Sequence, residues 1–292
     1  MKSAALIVNP FASAVTEERL AAVERELASV RPDVLLTERS GHATELSRRV
    51  LDVEAVLVFG GDGLLNEVLN GLDGSIPVGV IPGGRTNVVV RALGLPNDPV
   101  QAARRLASAT PRRISLGRVN GRRFAFAAGL GFDAELVRRV DERGRRSDGR
   151  RPGDLRFTWE AMKLLAARRG RYEPVLEVEG LGRAAFALVA NTDPYSYAGR
   201  RPLHIAPEAR FELGLDLVAP ARVGPGSIPR LLRYAFRGAG QVDADDVIYA
   251  HDLDRIVVRS DRALPLQADG EDLGDVVEAV FEAEREAVSV LV

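Results

Sequence analysis

The chain has 292 residues, of which 46% are hydrophobic and 28% are charged, and its formal net charge is −1. This length and composition are typical of a globular protein of about two domains, and they exclude a disordered or collagen-like chain. The sequence has no cysteine, and its three histidines, His42, His204 and His251, lie far apart. A disulfide framework and a Cys/His zinc or iron–sulfur site are therefore excluded.

The apolar stretches of the sequence are all short. None approaches the ~20 residues that a membrane-spanning helix requires. The apolar run near the N-terminus, at residues 4–8, is too short for the core of a signal peptide. We therefore expect a cytoplasmic protein.

The net charge hides an uneven distribution of charged residues. Residues 138–171 contain 12 basic and 5 acidic residues, whereas residues 241–292 contain 14 acidic and 4 basic residues. Two interpretations stay open: the two segments are solvated surfaces or pair with each other, or the basic segment attracts anionic lipid headgroups. Nucleic acid is a weaker third interpretation, because the basic segment has few aromatic residues for base stacking.

The N-terminal part of the sequence alternates short apolar runs with helical patterns. Strands are predicted over Ala4–Val8, Val34–Leu36, Ala55–Phe59 and Val78–Ile81. Helices are predicted after Thr16 and over His42–Leu51, Leu64–Leu72 and Val88–Leu93. This alternation is typical of an α/β unit with a parallel sheet, in which ligands bind at the carboxyl ends of the strands.

The sequence after about residue 111 is predicted to be mostly strand. The strand patterns cover Arg122–Ala127, Pro174–Val178, Ala184–Val189, Leu215–Ala219 and Arg255–Arg259. Two helical patterns interrupt them, at Asp133–Arg143 and Gly153–Arg169. The charged, glycine-containing segment 141–153 between these helices predicts a mobile loop.

A glycine-rich segment directly follows the third predicted strand. Gly60-Gly61-Asp62-Gly63 lies between this strand and the helix that begins near Leu64. Glycines let backbone N–H groups approach a phosphate, and the N-terminus of the following helix adds partial positive charge. Because the carboxylate would repel a phosphate, a divalent cation, Mg²⁺, is expected between the two. The simpler alternative is a tight strand-to-helix turn, and Asn66 excludes the Rossmann dinucleotide fingerprint.

A second glycine-rich turn, residues 83–87, links the fourth predicted strand to the next helix. Asn9 and Thr37 follow the first and second predicted strands. The carboxyl ends of parallel strands meet at one edge of a sheet, so these segments are expected to form one cleft.

Asp269-Gly270 follows a short predicted strand, Pro265–Ala268. A carboxylate at a glycine-flanked strand end is well placed to accept the proton of a substrate hydroxyl during phosphoryl transfer. Asp-Gly is also the commonest hairpin signal, so a plain turn stays open as the alternative.

Several of these motifs together carry a family resemblance. They are Asn9-Pro10, Thr37, Gly60-Gly61-Asp62-Gly63 with Asn66-Glu67-Val68, Pro82-Gly83-Gly84 through Asn87, Arg91–Pro96 and Asp269-Gly270-Glu271. In their order and spacing the chain resembles the diacylglycerol kinase and sphingosine kinase superfamily, close to the bacterial soluble lipid kinases. NAD kinases share the Gly-Gly-Asp-Gly loop, but the Arg91–Pro96 run and the late Asp-Gly-Glu favour the lipid kinases.

The resemblance implies an N-terminal three-layer α/β nucleotide-binding domain over residues 1–113 and a C-terminal antiparallel β-sandwich domain that binds the lipid over residues 114–285. Residues 286–292 would be a tail that returns to the first domain, and ATP would lie in the interdomain cleft. The implied function is ATP- and Mg²⁺-dependent transfer of a phosphoryl group to a hydroxyl of diacylglycerol or a related long-chain lipid. The implied partners are this lipid and, peripherally, an anionic membrane surface, without nucleic acid; a homodimer is left open.

The resemblance also implies roles for individual residues. Asp269 would be the general base, Glu271 would assist it, and Asp62 would act on the Mg²⁺–phosphate unit. The residues expected to bind ATP are Asn9, Pro10, Thr37, Gly60, Gly61, Asp62, Gly63, Leu64, Asn66, Glu67, Gly83, Gly84, Arg85, Thr86 and Asn87.

Four positions in the loop regions depart from the family pattern, one of them being Ala14, where the family has a glycine. Leu64 replaces a threonine, Arg85 replaces a threonine or serine, and Val88 replaces an aspartate. Arg85 could supply a guanidinium to the phosphates in place of a hydroxyl. The departures motivate an alternative function, a catalytically degenerate regulator of the same fold that binds lipid or nucleotide without phosphoryl transfer.

Overall fold

The computed structural model describes residues 3–50, 52–144, 160–161, 163–164 and 166–292. The chain divides into two compact units. The first contains the N-terminal segment up to Ser115 together with Arg285–Val292, and the second contains Leu116–Glu284. The C-terminal segment therefore belongs to the same unit as the N-terminal segment.

The first unit is built on a parallel sheet. Its strands, in the order β2-β1-β3-β4, are β1 (Ala4–Val8), β2 (Asp33–Leu36), β3 (Ala55–Gly60) and β4 (Val78–Pro82). All residues of β1, β3 and β4 are buried. Continuous apolar runs are what strands need when both faces of a parallel sheet are covered. The predicted strand positions in this unit are confirmed.

Helices flank this sheet. They are α1 (Glu17–Glu26), α2 (His42–Arg49), α3 (Asp62–Gly71), α4 (Val88–Ala92) and α5 (Pro99–Leu106). The Thr16 side chain accepts the N–H group of Arg19 and so caps α1. Helices α1 and α5 pack on each other and on the sheet through Val23 and Leu106, while α2 packs on α3. The carboxyl ends of the strands lead into the loops between these elements.

The second unit consists mainly of antiparallel strands. They are β5 (Pro111–Val119, which begins in the first unit), β6 (Arg122–Phe124), β7 (Ala127–Leu130), β8 (Leu176–Val178), β9 (Gly182–Ala184), β10 (Ala187–Ala190), β11 (Ser196–Ala198), β12 (Arg201–Leu203), β13 (Leu215–Pro220), β14 (Val247–Leu253), β15 (Arg255–Ala268) and β16 (Glu271–Leu291, which ends in the first unit). Helix α6 spans Phe132–Gly144 and helix α7 spans Ile228–Arg237.

Strand β15 takes part in two layers of strands. Its end, Leu266–Ala268, pairs with β7 in the ladder β14-β13-β10-β7-β15-β16, whereas Val258–Ser260 pairs with β8. The pairing of β15 with β16 shifts register between Arg259 and Leu264. Such irregularities bend a strand and allow it to pass between packed sheets. The predicted antiparallel β-sandwich is confirmed.

Two predicted strands are interrupted in the structure. The predicted strand Arg122–Ala127 is wrong in extent, since β6 ends at Phe124 and β7 begins at Ala127. The break occurs because the N–H groups of the intervening residues bind a buried carboxylate instead of a neighbouring strand. The predicted strand Ala184–Val189 is divided between β9 and β10, where Ala185 donates its N–H group to the carbonyl oxygen of Pro220.

Two further predictions fall partly outside the described residues. Of the predicted helix Gly153–Arg169, residues 160–161, 163–164 and 166–167 are helical, and residues 153–159, 162 and 165 lie outside the described residues. Of the predicted loop 141–153, residues 141–144 belong to α6 and the others lie outside. No helix in the described part of the chain is long and apolar enough to cross a membrane.

Candidate active site

Asn9 and Thr37 lie at the ends of neighbouring strands of the first unit. Asn9 donates its N–H group to Phe59 O of β3 at 3.1 Å, and Thr37 donates to Val8 O of β1 at 2.9 Å. The Asn9 side chain accepts the N–H group of Phe11 at 2.9 Å, which folds the chain back immediately after β1. These contacts bring two predicted ATP-binding residues to the same edge of the sheet, and Pro10 follows there, exposed.

The two glycine-rich loops touch each other at this edge. Gly83 donates its N–H group to Gly60 O at 2.6 Å. A Cβ atom on Gly83 would lie 2.7 Å from the Cα atom of Gly60, and one on Gly84 would lie 2.7 Å from the Cα atom of Gly61. Only glycine permits this approach, so the two loops pack backbone against backbone. The N-cap of α3, Gly61, adds no capping side chain over the first turn of the helix.

Asp62 links the two loops. Its carboxylate accepts the N–H groups of Val88 at 3.0 Å and Val89 at 3.2 Å, and it thereby caps the N-terminus of α4. The part of the chain that the structure describes contains no cluster of three His, Asp or Glu side chains that could hold a metal ion. A divalent cation at Asp62 would therefore depend on ligands from a bound phosphate.

The second loop is held from within by Asn87. Its Oδ1 atom accepts the N–H group of Gly84 at 3.0 Å, and its Nδ2 group donates to Gly84 O and to Asn97 Oδ1, both at 3.0 Å. Asn87 is buried and has a positive φ of 50°, which asparagine tolerates better than most residues. Arg85 is exposed and Thr86 is half-buried. The loop therefore keeps Asn87 inside and leaves Arg85 at the surface.

Three predicted ATP-binding side chains are buried in the packing of α3. Leu64 is 7% exposed and packs against Gly60. Asn66 accepts the Nδ2 group of Asn70 at 3.1 Å, and Glu67 accepts the N–H group of Ala43 near the start of α2 at 3.1 Å. The structure thus assigns packing and hydrogen-bonding contacts to these three residues, and their contact with ATP stays a prediction.

Asp269 lies in the two-residue turn between β15 and β16. Asp269 and Gly270 both have positive φ, 48° and 77°, as the turns favoured by Asp-Gly require. The buried carboxylate accepts the N–H groups of Ala125 at 2.6 Å, Phe126 at 3.0 Å and Ala127 at 3.2 Å. The hairpin alternative describes the backbone correctly, while the side chain anchors the segment between β6 and β7. Its role as a base stays a prediction.

Glu271 begins β16 and is paired with Ala268 across the hairpin. Its Oε2 atom lies 3.1 Å from a guanidinium nitrogen of Arg122 on β6. This ion pair is partly exposed, so it contributes little to stability. Its effect is to fix the direction of the Glu271 carboxylate beside the turn.

The sequence does not predict the buried polar cluster that lies next to this turn. Asp133 accepts the hydroxyl group of Tyr195 at 2.8 Å and the Nε2 group of Gln267 at 2.6 Å. Gln267 in turn accepts the N–H group of Gly270 at 2.9 Å. A Cβ atom on Gly129 would lie 3.0 Å from Asp133 Oδ2, so glycine leaves space for the cluster. The signal in the sequence is Gln267, a polar residue at the apolar end of a strand.

Several described residues of the basic segment form ion pairs within the second unit. Arg138 forms ion pairs with Asp272 at 2.8 Å and Asp275 at 2.6 Å, both in the acidic C-terminal segment. Arg139 and Arg168 both pair with Glu135. For these described residues, the interpretation that the charged segments include mutual ion pairs is confirmed.

Comparisons with known proteins agree with this architecture. The family model described as "Diacylglycerol kinase catalytic domain" matches residues 3–119, and the model described as "YegS C-terminal NAD kinase beta sandwich-like domain" matches residues 100–292. A diacylglycerol kinase from Bacillus subtilis (strain 168) is 30% identical over 282 residues, which cover 93% of this chain and 90% of the relative. The chain belongs to the diacylglycerol kinase family. It is therefore a lipid kinase of the bacterial branch.

Other relatives extend the comparison. A diacylglycerol kinase from Staphylococcus carnosus (strain TM300) is 28% identical over 282 residues, covering 92% of this chain and 89% of the relative. The solved structure of a putative diacylglycerol kinase from Bacillus anthracis str. Sterne has a TM-score of 0.75 at 23% identity, covering 99% of this chain and 97% of that chain. An NAD kinase from Archaeoglobus fulgidus in complex with ATP has a TM-score of 0.53 at 14% identity, covering 99% of this chain and 93% of that chain. These two structures share the fold.

The contact between the glycine loops makes Gly84 sensitive to substitution. In Gly84→Ala the added Cβ atom would lie 2.7 Å from Gly61 Cα and 2.9 Å from Asn87 Oδ1, so the loops must separate. We expect the free energy of unfolding to fall by about 1–3 kcal/mol, measured by urea denaturation. In Gly226→Ala, the matched control, the Cβ atom meets nothing within 4 Å. Equal stability of the two variants would contradict the proposed close approach.

The Asp133 carboxyl group makes stability depend on pH. Burial raises its pKa above the ordinary 3.8, and hydrogen bonds from Tyr195 and Gln267 oppose that rise only in part. A carboxyl group with a raised folded-state pKa stabilises the fold most below pH 3.8, and this contribution is lost as the pH rises through the folded-state value.

Asp133→Asn can keep the oxygen that accepts both hydrogen bonds but cannot ionise. We expect the stability of Asp133→Asn relative to wild type to increase as the pH rises above 3.8, by at most about 1.4 kcal/mol per pH unit. Urea unfolding at several pH values measures this difference, with the exposed Asp243→Asn as control. A difference that does not vary with pH would refute the assignment.

Proposed function

We propose that this lipid kinase transfers the γ-phosphoryl group of ATP, with Mg²⁺, to a hydroxyl group of diacylglycerol or a related long-chain lipid. The observation that carries the proposal is the close backbone contact between the glycines of two loops at the carboxyl edge of the sheet. The names of the B. subtilis and S. carnosus relatives support diacylglycerol as the acceptor. The ATP complex of the NAD kinase with the same fold supports ATP as the donor.

The first unit would bind ATP through its backbone. The N–H groups at the start of α3 would bind the phosphates, and the N-terminus of this helix adds positive potential, whereas the N–H groups of Gly83 and Gly84 are already bonded within the protein. Asn9 and Thr37 border the same edge. Arg85 is exposed at the second loop, where its guanidinium can pair with a phosphate. We propose that this arginine supplies the charge that a lysine provides in other phosphate-binding loops.

Mg²⁺ would be held mainly by the nucleotide. Magnesium sites in phosphoryl-transfer enzymes commonly combine one or two carboxylates with substrate phosphates and water. Asp62 is the carboxylate of the first glycine loop, so it would be the ligand that the protein supplies to the cation. It already accepts two N–H groups from α4. When bound, the cation would neutralise charge that develops on the phosphates. The contribution of Asp62 itself is to hold the two loops together around the ligand.

The second unit would present the acceptor hydroxyl. The oxygen of this hydroxyl would attack the γ-phosphorus, and the bond from phosphorus to the bridging oxygen of ADP would break. The hydroxyl proton would pass to the Asp269 carboxylate. Three backbone N–H groups fix the direction of that carboxylate. Such fixed orientation lowers the cost of aligning the reacting atoms. Glu271, held by Arg122, would assist from the next position of the hairpin.

The lipid acceptor also implies where the enzyme works. A long-chain lipid resides in a bilayer, and none of the described helices is able to span one. We therefore propose a cytoplasmic enzyme that visits the surface of an anionic membrane. Attraction of basic residues to anionic lipids would supply this contact.

Replacing Asp269 by asparagine tests the assignment of the base. Asparagine tolerates the positive φ at this position, but its NH₂ group must face one of the three backbone N–H groups. We expect turnover to fall by at least about 100-fold, because the proton acceptor is lost. Binding of a non-hydrolysable ATP analogue, measured by calorimetry, should change little.

The same substitution should lower stability by about 1–3 kcal/mol, so folding must be measured in parallel. Asp272→Asn is the control, since Asp272 lies on the same hairpin and forms a partly exposed ion pair with Arg138. Turnover close to wild type in folded Asp269→Asn would overturn the assignment. Loss of ATP-analogue binding as well would mean that the substitution acts by disrupting the fold.

The Leu64→Thr substitution tests whether the protein is a competent kinase or a catalytically degenerate regulator. Leu64 is 7% exposed and its side chain packs on Gly60, so a threonine hydroxyl would be buried there. We expect stability to fall by about 1–3 kcal/mol. Turnover should change by no more than about threefold, which is ~0.6 kcal/mol in the barrier. A large rise in ATP-dependent lipid phosphorylation would instead favour a degenerate regulator.

A further inference from the structure

Helix α7 has a large uncovered apolar surface. None of its ten residues is fully buried. Leu232 and Phe236, which are one turn apart, are 50% and 45% exposed. Side chains at positions i and i+4 lie on the same face of a helix, so these two form one apolar ridge. Contiguous exposed apolar surface of this kind marks an interaction site.

Residues beside the ridge fix the orientation of α7 on the second unit. Ile228 and Leu231 pack against the buried cluster of Tyr172, Phe186 and Val223. Arg230 forms an ion pair with Asp246 and so contributes to the same attachment. These contacts hold the helix so that the ridge faces outward. The ridge is therefore a feature of the folded unit.

Arginines border the ridge. With 3.6 residues per turn, Arg233 and Arg237 lie next to Leu232 and Phe236 on the exposed arc of the helix. Both arginines are exposed, and the helix contains no acidic residue. The Arg233 guanidinium lies 5.8 Å from the centre of the Tyr234 ring, and it forms no salt bridge with a carboxylate of the described residues.

We propose that the exposed face of α7 docks on the interface of a bilayer that contains anionic lipids. An apolar ridge beside arginines, without acidic residues, is the pattern of helices that lie in the plane of a membrane surface. The ridge would enter the boundary between headgroups and acyl chains, and the arginines would pair with lipid phosphates. This proposal rests on the proposed function, because a kinase for long-chain lipids must reach a membrane surface.

Two other surfaces fit less well. In the basic segment 138–171, Arg138 pairs with two carboxylates, and Arg139 and Arg168 share that of Glu135, so these described arginines have less uncompensated charge to offer a membrane. A second copy of the chain docking through the same face would bring together two surfaces that each carry Arg233 and Arg237. Like charges at such a contact oppose association. An anionic lipid surface complements both the ridge and the arginines.

The test is co-sedimentation of the full chain with vesicles of phosphatidylcholine, with and without phosphatidylglycerol. We expect Arg233→Gln/Arg237→Gln to weaken binding to the anionic vesicles about 30-fold. Leu232→Ser/Phe236→Ser should weaken it by more than about tenfold. The matched controls are Leu181→Ser/Val277→Ser, which alters exposed apolar side chains elsewhere, and Arg48→Gln/Arg49→Gln, which removes two exposed charges from α2. Both controls should bind like wild type.

All four variants should keep the wild-type thermal unfolding midpoint, because the altered side chains are exposed. The proposal is overturned if both α7 variants bind anionic vesicles like wild type, or if the Arg48/Arg49 control loses as much binding as the α7 arginine variant. It is equally overturned if the α7 variants only dissociate a dimer in sedimentation velocity.

Phosphorylation of a water-soluble, short-chain diacylglycerol separates this proposal from the proposed function. The α7 variants should phosphorylate it at the wild-type rate, since the helix contributes no residue to the candidate active site. If wild type binds vesicles through α7 but phosphorylates no lipid, the proposed function fails and the docking surface stands. Wild-type activity on vesicles in variants that retain full binding would refute the docking surface alone.

Discussion

The hydrogen bonds between the Asp269 carboxylate and three backbone N–H groups hold the centre of the second unit in place. A buried carboxylate without donors would cost several kcal/mol, and N–H groups 125–127 would be unsatisfied without an acceptor. Asp269 also donates its own N–H group to Ala127 O at 2.7 Å. The tight turn and the strand break therefore depend on each other, and the position of the candidate base is set by the fold.

Asp62 plays an equivalent part in the first unit. Its carboxylate accepts two N–H groups of α4 and thereby ties the first glycine loop to the segment after the second. In both units, a carboxylate that the motifs associate with chemistry also satisfies backbone groups from another segment. Preorganised groups of this kind need no rearrangement when the reaction occurs. Because each aspartate has both roles, replacing either one would change the local structure and the proposed chemistry together.

The sequence predicts elements well where the signal is local. Strands β1, β3 and β4 are continuous apolar runs that end at Asn9, at the first glycine loop and at the second, so their ends are marked by turn residues. Strand β16 escapes prediction because charged residues run through it. Its Glu278 and Glu284 pair with arginines of other strands, such as Arg259 and Arg123. Those partners are distant in sequence, so no local pattern reveals them.

Prediction of the candidate site is limited in the same way. Motifs indicate which residues belong to the site, but packing determines what each side chain contacts. Glu67 reaches the start of α2, 24 residues away, and nothing in the loop motif indicates this. Charge follows this rule too. The chain has a net charge of −1, and Arg138 lies in its most basic segment. The charge of Arg138 is nevertheless compensated by ion pairs with Asp272 and Asp275. Which arginines attract an anionic surface is therefore determined by the carboxylates that the fold brings within reach, and on α7 it brings none to Arg237 among the described residues.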